Sequence, residues 1–252
     1  MDEYWSAVCD DCISYMQSLE TGSIDMLFTD LPYGTTKCRW DTPIDLEKFW
    51  NQARRVTKEN GAILLFAQTP FDKVLGCSNI KELRYEWIWE KTEATGHLNA
   101  NRMPMKAHEN ILVFYRKLPT YHPQKITGQK RKISTAAHKI GCHKSDCYGE
   151  YGLTSYDSTE RFPRSVIKGP TDKQKEKGVA VKPVWLCEKM IRMYTEEGQT
   201  VLDCCMGTGS IGVACILSRR RYIGIEIEKN RFDRAVERMS LVNCLWEEKC
   251  DG

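Results

Sequence analysis

The sequence predicts an α/β protein with a doubly wound, mostly parallel sheet, broken once by an irregular basic insert. Three observations carry this. Apolar strand-like runs alternate with helical patterns towards both ends of the chain, the pattern of a parallel sheet. Periodicity fails between about residues 117 and 180, where turn-formers and charges gather. Finally, Gly207-x-Gly209-x-x-Gly212 leaves one predicted strand and enters a predicted helix, where sheets of this kind bind ligands.

Each element has a local reason. Residues 24–29 (Ile-Asp-Met-Leu-Phe-Thr) form an apolar run that ends at Asp30 and reads as a buried strand. Thr42 followed by Pro43 is a helix start, with Thr42 as cap and Pro43 in the first turn. Leu46, Phe49, Trp50 and Ala53 keep helical spacing until Asn60-Gly61. A second buried strand is predicted over 62–67, a short helix from Pro70 through Leu75, and strands over 85–89 and 111–115. After the insert come a helix from Pro183 to about Tyr194, a strand at 200–204, a helix at 210–218, a strand at 222–227 and a helix at about 229–241. The expected division is therefore 1–116, an insert at 117–182, and 183–252.

Composition narrows the class. With 252 residues, 41% hydrophobic and including seven Trp and eleven Tyr, the chain can bury a core and is not disordered. No run approaches the roughly 20 apolar residues of a membrane span, and the acidic start Met1-Asp2-Glu3 does not read as a signal peptide. Twelve Cys in a chain of this length suit a reducing compartment rather than a disulfide scaffold, so a cytoplasmic or nucleoid-associated protein is expected. The net charge of +3 hides an asymmetry. Residues 117–182 hold 14 Lys and Arg against 6 Asp and Glu, a net of +8, while the remainder is −5. A basic insert on an acidic body points to a polyanionic partner.

Two constellations carry chemistry. Glu226 closes the strand that follows the glycine loop, 19 residues after Gly207, and an acid there can accept ribose hydroxyls. Only 26 residues follow Glu226, so substrate-handling residues lie upstream. That suits S-adenosylmethionine better than a dinucleotide, with Asp203 at the strand end placed to meet a ligand ammonium. The second constellation is Asp30-Leu31-Pro32-Tyr33, at the carboxyl end of the first clear strand. An aromatic amine is a poor nucleophile because its lone pair is delocalised into the ring. Two acceptors on its N–H groups, the Asp30 carboxylate and the Leu31 carbonyl, would draw it towards tetrahedral geometry. Pro32 fixes the turn, and Tyr33 offers a flat face to an extruded base.

Together these motifs resemble the amino-group DNA methyltransferases, specific for adenine N6 or cytosine N4, in the permuted order that places the catalytic tetrapeptide before the cofactor loop. The likeness extends through Asp11-Cys12, Tyr85 to Lys91, Asn99 to Pro104, His108 to Phe114, Phe162 to Val166, Lys182-Pro183 and Gly224-Ile225-Glu226. The resemblance implies a Rossmann-like methyltransferase fold. It implies that Asp30 and Leu31 orient the target amine, with Pro32 and Tyr33 completing the tetrapeptide. Asp203, Gly207 and Gly209 would line the S-adenosylmethionine site, with Glu226 on the ribose and Asp11 at the adenine end. Three positions depart from the family pattern: Leu31 stands where Pro is usual, Cys205 where Phe is common, and Val179-Ala180-Val181 where His with Thr or Gln tends to precede Lys182-Pro183.

No Cys follows a Pro, so the signature of ring-carbon cytosine methylation is missing and direct in-line attack by the amine is expected. Asp at the head of the tetrapeptide favours adenine over cytosine within this family. The basic insert is then the target-recognition region of a double-stranded DNA partner whose target base is flipped out, with salt-dependent affinity. His138, Cys142, His143 and Cys147 lack the tight spacing of structural zinc and read as loop residues, so no metal is expected. A homodimer is left open. The competing functions are an N4-cytosine enzyme, an RNA adenine-N6 methyltransferase and a DNA-binding protein whose site no longer turns over.

Overall fold

A computed structural model describes residues 4–34, 41–137, 144–145, 149–150, 154–172 and 181–250. Strands follow in chain order as β1 (Trp5–Cys9), β2 (Ile24–Thr29), β3 (Thr57–Ala67), β4 (Leu83–Thr95), β5 (Lys106–Phe114), β6 (Lys132–Ser134), β7 (Lys144–Ser145), β8 (Gly149–Glu150), β9 (Tyr156–Ser158), β10 (Val166–Gly169), β11 (Thr200–Asp203) and β12 (Arg221–Glu226). The helices are α1 (Cys12–Ser18), α2 (Leu46–Val56), α3 (Phe71–Ser78), α4 (Val184–Tyr194), α5 (Ser210–Leu217) and α6 (Lys229–Cys250). None of them is long and apolar enough to cross a membrane among the described residues.

One eight-stranded sheet has the order β1-β12-β11-β2-β3-β5-β4-β10. All its neighbours pair in parallel except β5, which is antiparallel to β3 and β4. The mostly parallel, doubly wound sheet is thus as expected. Successive strand side chains point to opposite faces, and β3 fills both. Ala62, Leu64 and Phe66 join Met190 of α4, Ala214 of α5 and Met239 of α6. Ile63, Leu65 and Ala67 join Met16 of α1, Phe49 and Ala53 of α2 and Leu75 of α3. Cover on both faces is why these strands read as continuous apolar runs.

Strand order reverses between β2 and β11, which pair through Leu27 and Leu202. From there the chain winds outward through β3 on one side and through β12 on the other. Such a reversal opens a crevice beyond the carboxyl ends of the strands, and Asp30 and Asp203 sit at those ends.

Several local expectations are corrected. Helix α2 starts at Leu46, not at Pro43, because Asp45 is the cap, its carboxylate accepting the Lys48 N–H at 3.1 Å. It stops at Val56, ahead of Asn60. Thr57 already pairs with Ile24, and the next aligned pair is Met26 with Ala62, so exposed Lys58, Glu59 and Asn60 bulge out of a strand that begins early. β4 continues to Thr95 and β5 begins at Lys106 and ends at Phe114, their added residues being mostly polar and so giving no apolar signal. β1 and α1 went unread for the same reason, being only partly buried. Helix α6 continues past 241.

The chain forms two compact units, one comprising Met1–His122 and Ser165–Gly252, the other Pro123–Arg164. Within the second, β6 pairs with β9 and β7 with β8. Val166–Gly169, inside the stretch read as insert, is a strand of the main sheet paired with β4. The second unit holds 8 Lys and Arg against 4 Asp and Glu, so about half of the +8 counted over 117–182 belongs to it. Thr35 and Thr36, Val179-Ala180, and the His138, Cys142, His143 and Cys147 set fall outside the described residues.

Candidate active site

The loop after β11 turns on two glycines. Gly207 (φ 52°) and Gly209 (φ 76°) occupy the left-handed region, where a side chain is strained. A Cβ at Gly207 would meet nothing within 4 Å, and Gly207 lines a cavity. Gly212 is different. A Cβ there would lie 2.2 Å from Met239 Sδ and 2.8 Å from the Tyr222 ring, so this glycine lets α5 lie close against α6 and β12. Glu226, at the end of β12, accepts the Gly207 N–H and the Glu228 N–H, each at 2.9 Å. Burial nonetheless raises its pKa, the two N–H bonds offsetting only part of that rise.

Asp203 is only 1% exposed. Its Oδ1 accepts the Thr29 hydroxyl at 2.7 Å and the Cys205 N–H at 3.3 Å, and its Oδ2 accepts the Tyr222 hydroxyl at 3.3 Å. Burial without a cation pushes its carboxyl up to about 7. This residue ties β11 to both flanking strands. Asp11 caps α1 by accepting the Ser14 N–H at 2.9 Å. Beside it the Cys12 thiol lies near those of Cys204 and Cys205, and their proximity lowers its pKa.

The end of β2 is organised by charge. Asp30 Oδ1 accepts the Tyr33 hydroxyl at 2.6 Å, and its Oδ2 lies 2.9 Å from Lys182 Nζ. Lys182 also donates to Glu109 Oε2 at 2.8 Å, and Lys91 pairs with Glu109 Oε1. Burial raises the pKa of Asp30 and Lys182 draws it back only in part. Burial also pushes Glu109 upward, but its two ammonium partners overcome this and hold it at about 2. The Tyr33 ring stacks on Phe71 at 5.1 Å between centroids. Leu31 is 2% exposed and packs with the apolar cluster that contains Met16 and Phe49, so its side chain fills the core.

Both sets face one cavity of about 920 Å³. Eight of the nine residues singled out in the sequence line it: Asp11, Asp30, Leu31, Pro32, Tyr33, Asp203, Gly207 and Glu226. Gly209 does not; it caps α5 and packs against Ala235. The sequence reading gave no role to Glu109 and Lys182, which also line the cavity. Both sat inside quoted motif segments, and only their pairing in space marks them.

A family model described as DNA methylase, of the N6/N4 methyltransferase type, matches residues 24–237. The Type II methyltransferase M.HpaI of Haemophilus parainfluenzae is 27% identical over 92% of this chain and 73% of its own length. The orphan methyltransferase M.BamHII of Bacillus amyloliquefaciens is 27% identical over 86% of this chain and 89% of its own. Among solved structures, the M1.HpyAVI–SAM complex superposes with a TM-score of 0.62 at 22% identity, covering 93% of this chain and 99% of that one. The cytosine-N4-specific PvuII DNA methyltransferase gives 0.65 at 13% identity, covering 95% and 91%. At these identities the structural likeness speaks for the fold.

Proposed function

The chain belongs to the N6/N4 DNA methylase family, and from that premise we propose that it methylates the N6 amine of adenine in double-stranded DNA. As a member it is an S-adenosylmethionine-dependent DNA methyltransferase. The observation that supports methyl transfer to a base amine is a single cavity lined by both the Asp30 tetrapeptide and the Gly207 loop with Glu226; the choice of adenine rests on Asp30 at the head of the tetrapeptide. A cofactor on one side and a flipped base on the other would meet there without leaving the crevice.

The residues present fit the cofactor. The open space over Gly207 leaves room for a ligand against the loop backbone. Glu226 keeps carboxylate oxygens at the cavity, positioned by two backbone N–H groups, to accept ribose hydroxyls. Asp11 and the neighbouring Asp10 line the same cavity towards α1 and would take the adenine end. Asp203, being bonded to Thr29, Cys205 and Tyr222, shapes the loop as well as lining the cavity. When bound, the cofactor would supply an electrophilic sulfonium methyl for in-line transfer to the amine, the C–S electron pair going to sulfur and the amine proton to solvent.

This chain's residues prepare the amine. As an anion, Asp30 accepts one N–H, and the Leu31 carbonyl accepts the other, which frees the nitrogen lone pair. Tyr33, braced by Phe71, supports the extruded ring. Asp at the head of the tetrapeptide favours adenine over cytosine. The exposed cations of the second unit, among them Lys130 and Lys132, would meet phosphates.

Incubating the protein with methyl-labelled S-adenosylmethionine and unmethylated double-stranded DNA, then digesting to nucleosides, tests this. Label is expected in N6-methyldeoxyadenosine. Label in N4-methyldeoxycytidine would overturn the choice of base, and label in RNA alone would overturn the choice of polymer.

A further inference from the structure

Resting on the reading of Asp30 as the anionic acceptor for the target amine, we propose that Lys182 is a positioning residue that fixes the Asp30 carboxylate and sets the acid limb of methyl transfer. Lys182 lies just before Pro183, the cap of α4, 152 positions away from Asp30 in sequence. Its ammonium is placed 2.9 Å from Asp30 Oδ2 and 2.8 Å from Glu109 Oε2, with its side chain only 8% exposed. It also stands over two rings, 5.0 Å from the centroid of Phe66 and 5.6 Å from that of Tyr33. Such a cation has lost its water and must be held by its partners.

Those partners form an alternating row: Asp30, Lys182, Glu109 and Lys91, drawn from the end of β2, the approach to α4, and strands β5 and β4. The row has a direction. Glu109 is shared by two ammoniums, so it is fully ionised and anchors Lys182 from behind. Asp30 is at the open end, its side chain 29% exposed against 9% for Glu109, with one oxygen held by Lys182 and the other by the Tyr33 hydroxyl. An arriving amine can replace the Tyr33 hydroxyl at Oδ1 while Lys182 keeps Oδ2, so the carboxylate need not turn to receive its substrate.

The groups facing Asp30 are Tyr33 on its own segment, Glu109 from β5, Lys182 before α4, Asp203 from β11 and the Cys187 thiol from α4. Among these only Lys182 is a cation. Burial and the neighbouring Glu109 raise the Asp30 pKa, and Lys182 opposes both. Activity that needs the anion is lost as pH falls through that pKa. Removing Lys182 therefore moves the acid limb to higher pH, by about 1 unit or more for an opposite charge at this range. Removing the Glu109 charge moves it the other way.

The test is the pH profile of kcat, at saturating DNA and S-adenosylmethionine, for wild type, Lys182→Met, Lys182→Arg and Glu109→Gln, with cofactor Kd measured alongside. Lys182→Met is expected to lower kcat about tenfold or more near neutral pH, with the limb raised and cofactor Kd nearly unchanged. Lys182→Arg restores most of the rate. Glu109→Gln lowers the limb, an opposite shift that a merely structural role would not produce. If Lys182→Met does not fold, Lys182→Arg and Glu109→Gln carry the test. Transfer with limbs unmoved in the folded variants would overturn the inference alone. No transfer by the wild-type chain would overturn the reading beneath it, and the inference with it.

Discussion

The two sides of the crevice hold buried acids in opposite ways. At the end of β2 and on β5, Asp30 and Glu109 are bound by ammonium groups. At the ends of β11 and β12, Asp203 and Glu226 are bound by hydroxyl and backbone N–H donors, with no cation in direct contact with Asp203 among its described bonds. Glu109 is held at about 2 and Asp203 is pushed up to about 7. Burial raises Asp30, Glu109 and Asp203 alike, and the outcome follows the number of ammonium groups in reach: two overcome it at Glu109, Lys182 offsets it only in part at Asp30, and none bonds Asp203 among the described contacts. On the proposed function, the acid that works as an anion beside the amine is the one given an ammonium, Asp30, whereas Asp203, which shapes the loop, is bonded by neutral donors.

The strongest way to break this comparison is Asp30→Ala. It is expected to cut methyl transfer by about 100- to 1,000-fold, as for loss of one group that stabilises a transition state, while S-adenosylmethionine binding measured by calorimetry is retained. Full activity in that variant would remove the base side altogether. Glu226→Gln probes the other side and should weaken cofactor binding by about 10- to 100-fold, the worth of hydrogen bonds to a charged acceptor, with kcat at saturating cofactor much less affected. Equilibrium dialysis separates the two effects. If Glu226→Gln lowered kcat and left Kd alone, the assignment of the two sides would have to be exchanged.

A smaller effect comes from packing. Gly212→Ala places a Cβ into Met239 and the Tyr222 ring and should cost about 1–3 kcal/mol, read as a lower Tm. The smallest effect sharpens the contrast in charge. Glu109 falls from its ordinary 4.5 to about 2 on folding, so its contribution to stability is present above pH 4.5 and is lost as pH drops towards about 2. Asp203 rises from 3.8 to about 7, so the folded state binds the extra proton and stability falls as pH climbs through that window. Thermal melts should therefore show Asp203→Asn gaining on wild type between pH values of about 4 and 7, and Glu109→Gln making no such gain.

Eight of the nine residues singled out in the sequence line the same cavity. The Asp30 tetrapeptide and the Gly207 loop are contiguous runs whose residue types declare a strand end, a sharp turn and a helix start, and the acid at 226 follows at a fixed spacing. The reading erred where signals competed or were weak. Thr42-Pro43 reads as a helix start, yet the cap is Asp45, whose carboxylate accepts the Lys48 N–H. Val166–Gly169 is too short to reveal a period, yet it pairs with β4. Lys182 was counted with a polyanion-facing charge, whereas it lies buried between two carboxylates.

By itself, then, the sequence determined the class of sheet, the order of its two halves and the residues at the strand ends, because apolar period, glycine spacing and turn chemistry are local properties of the chain. Only the tertiary structure decided that Asp30 meets Lys182, that Glu109 stands behind it, and that Asp203 is taken up by Thr29 and Tyr222. Those choices depend on distance and burial between residues far apart in sequence, and it is distance and burial that set the strength of a charge and the proton affinity of an acid.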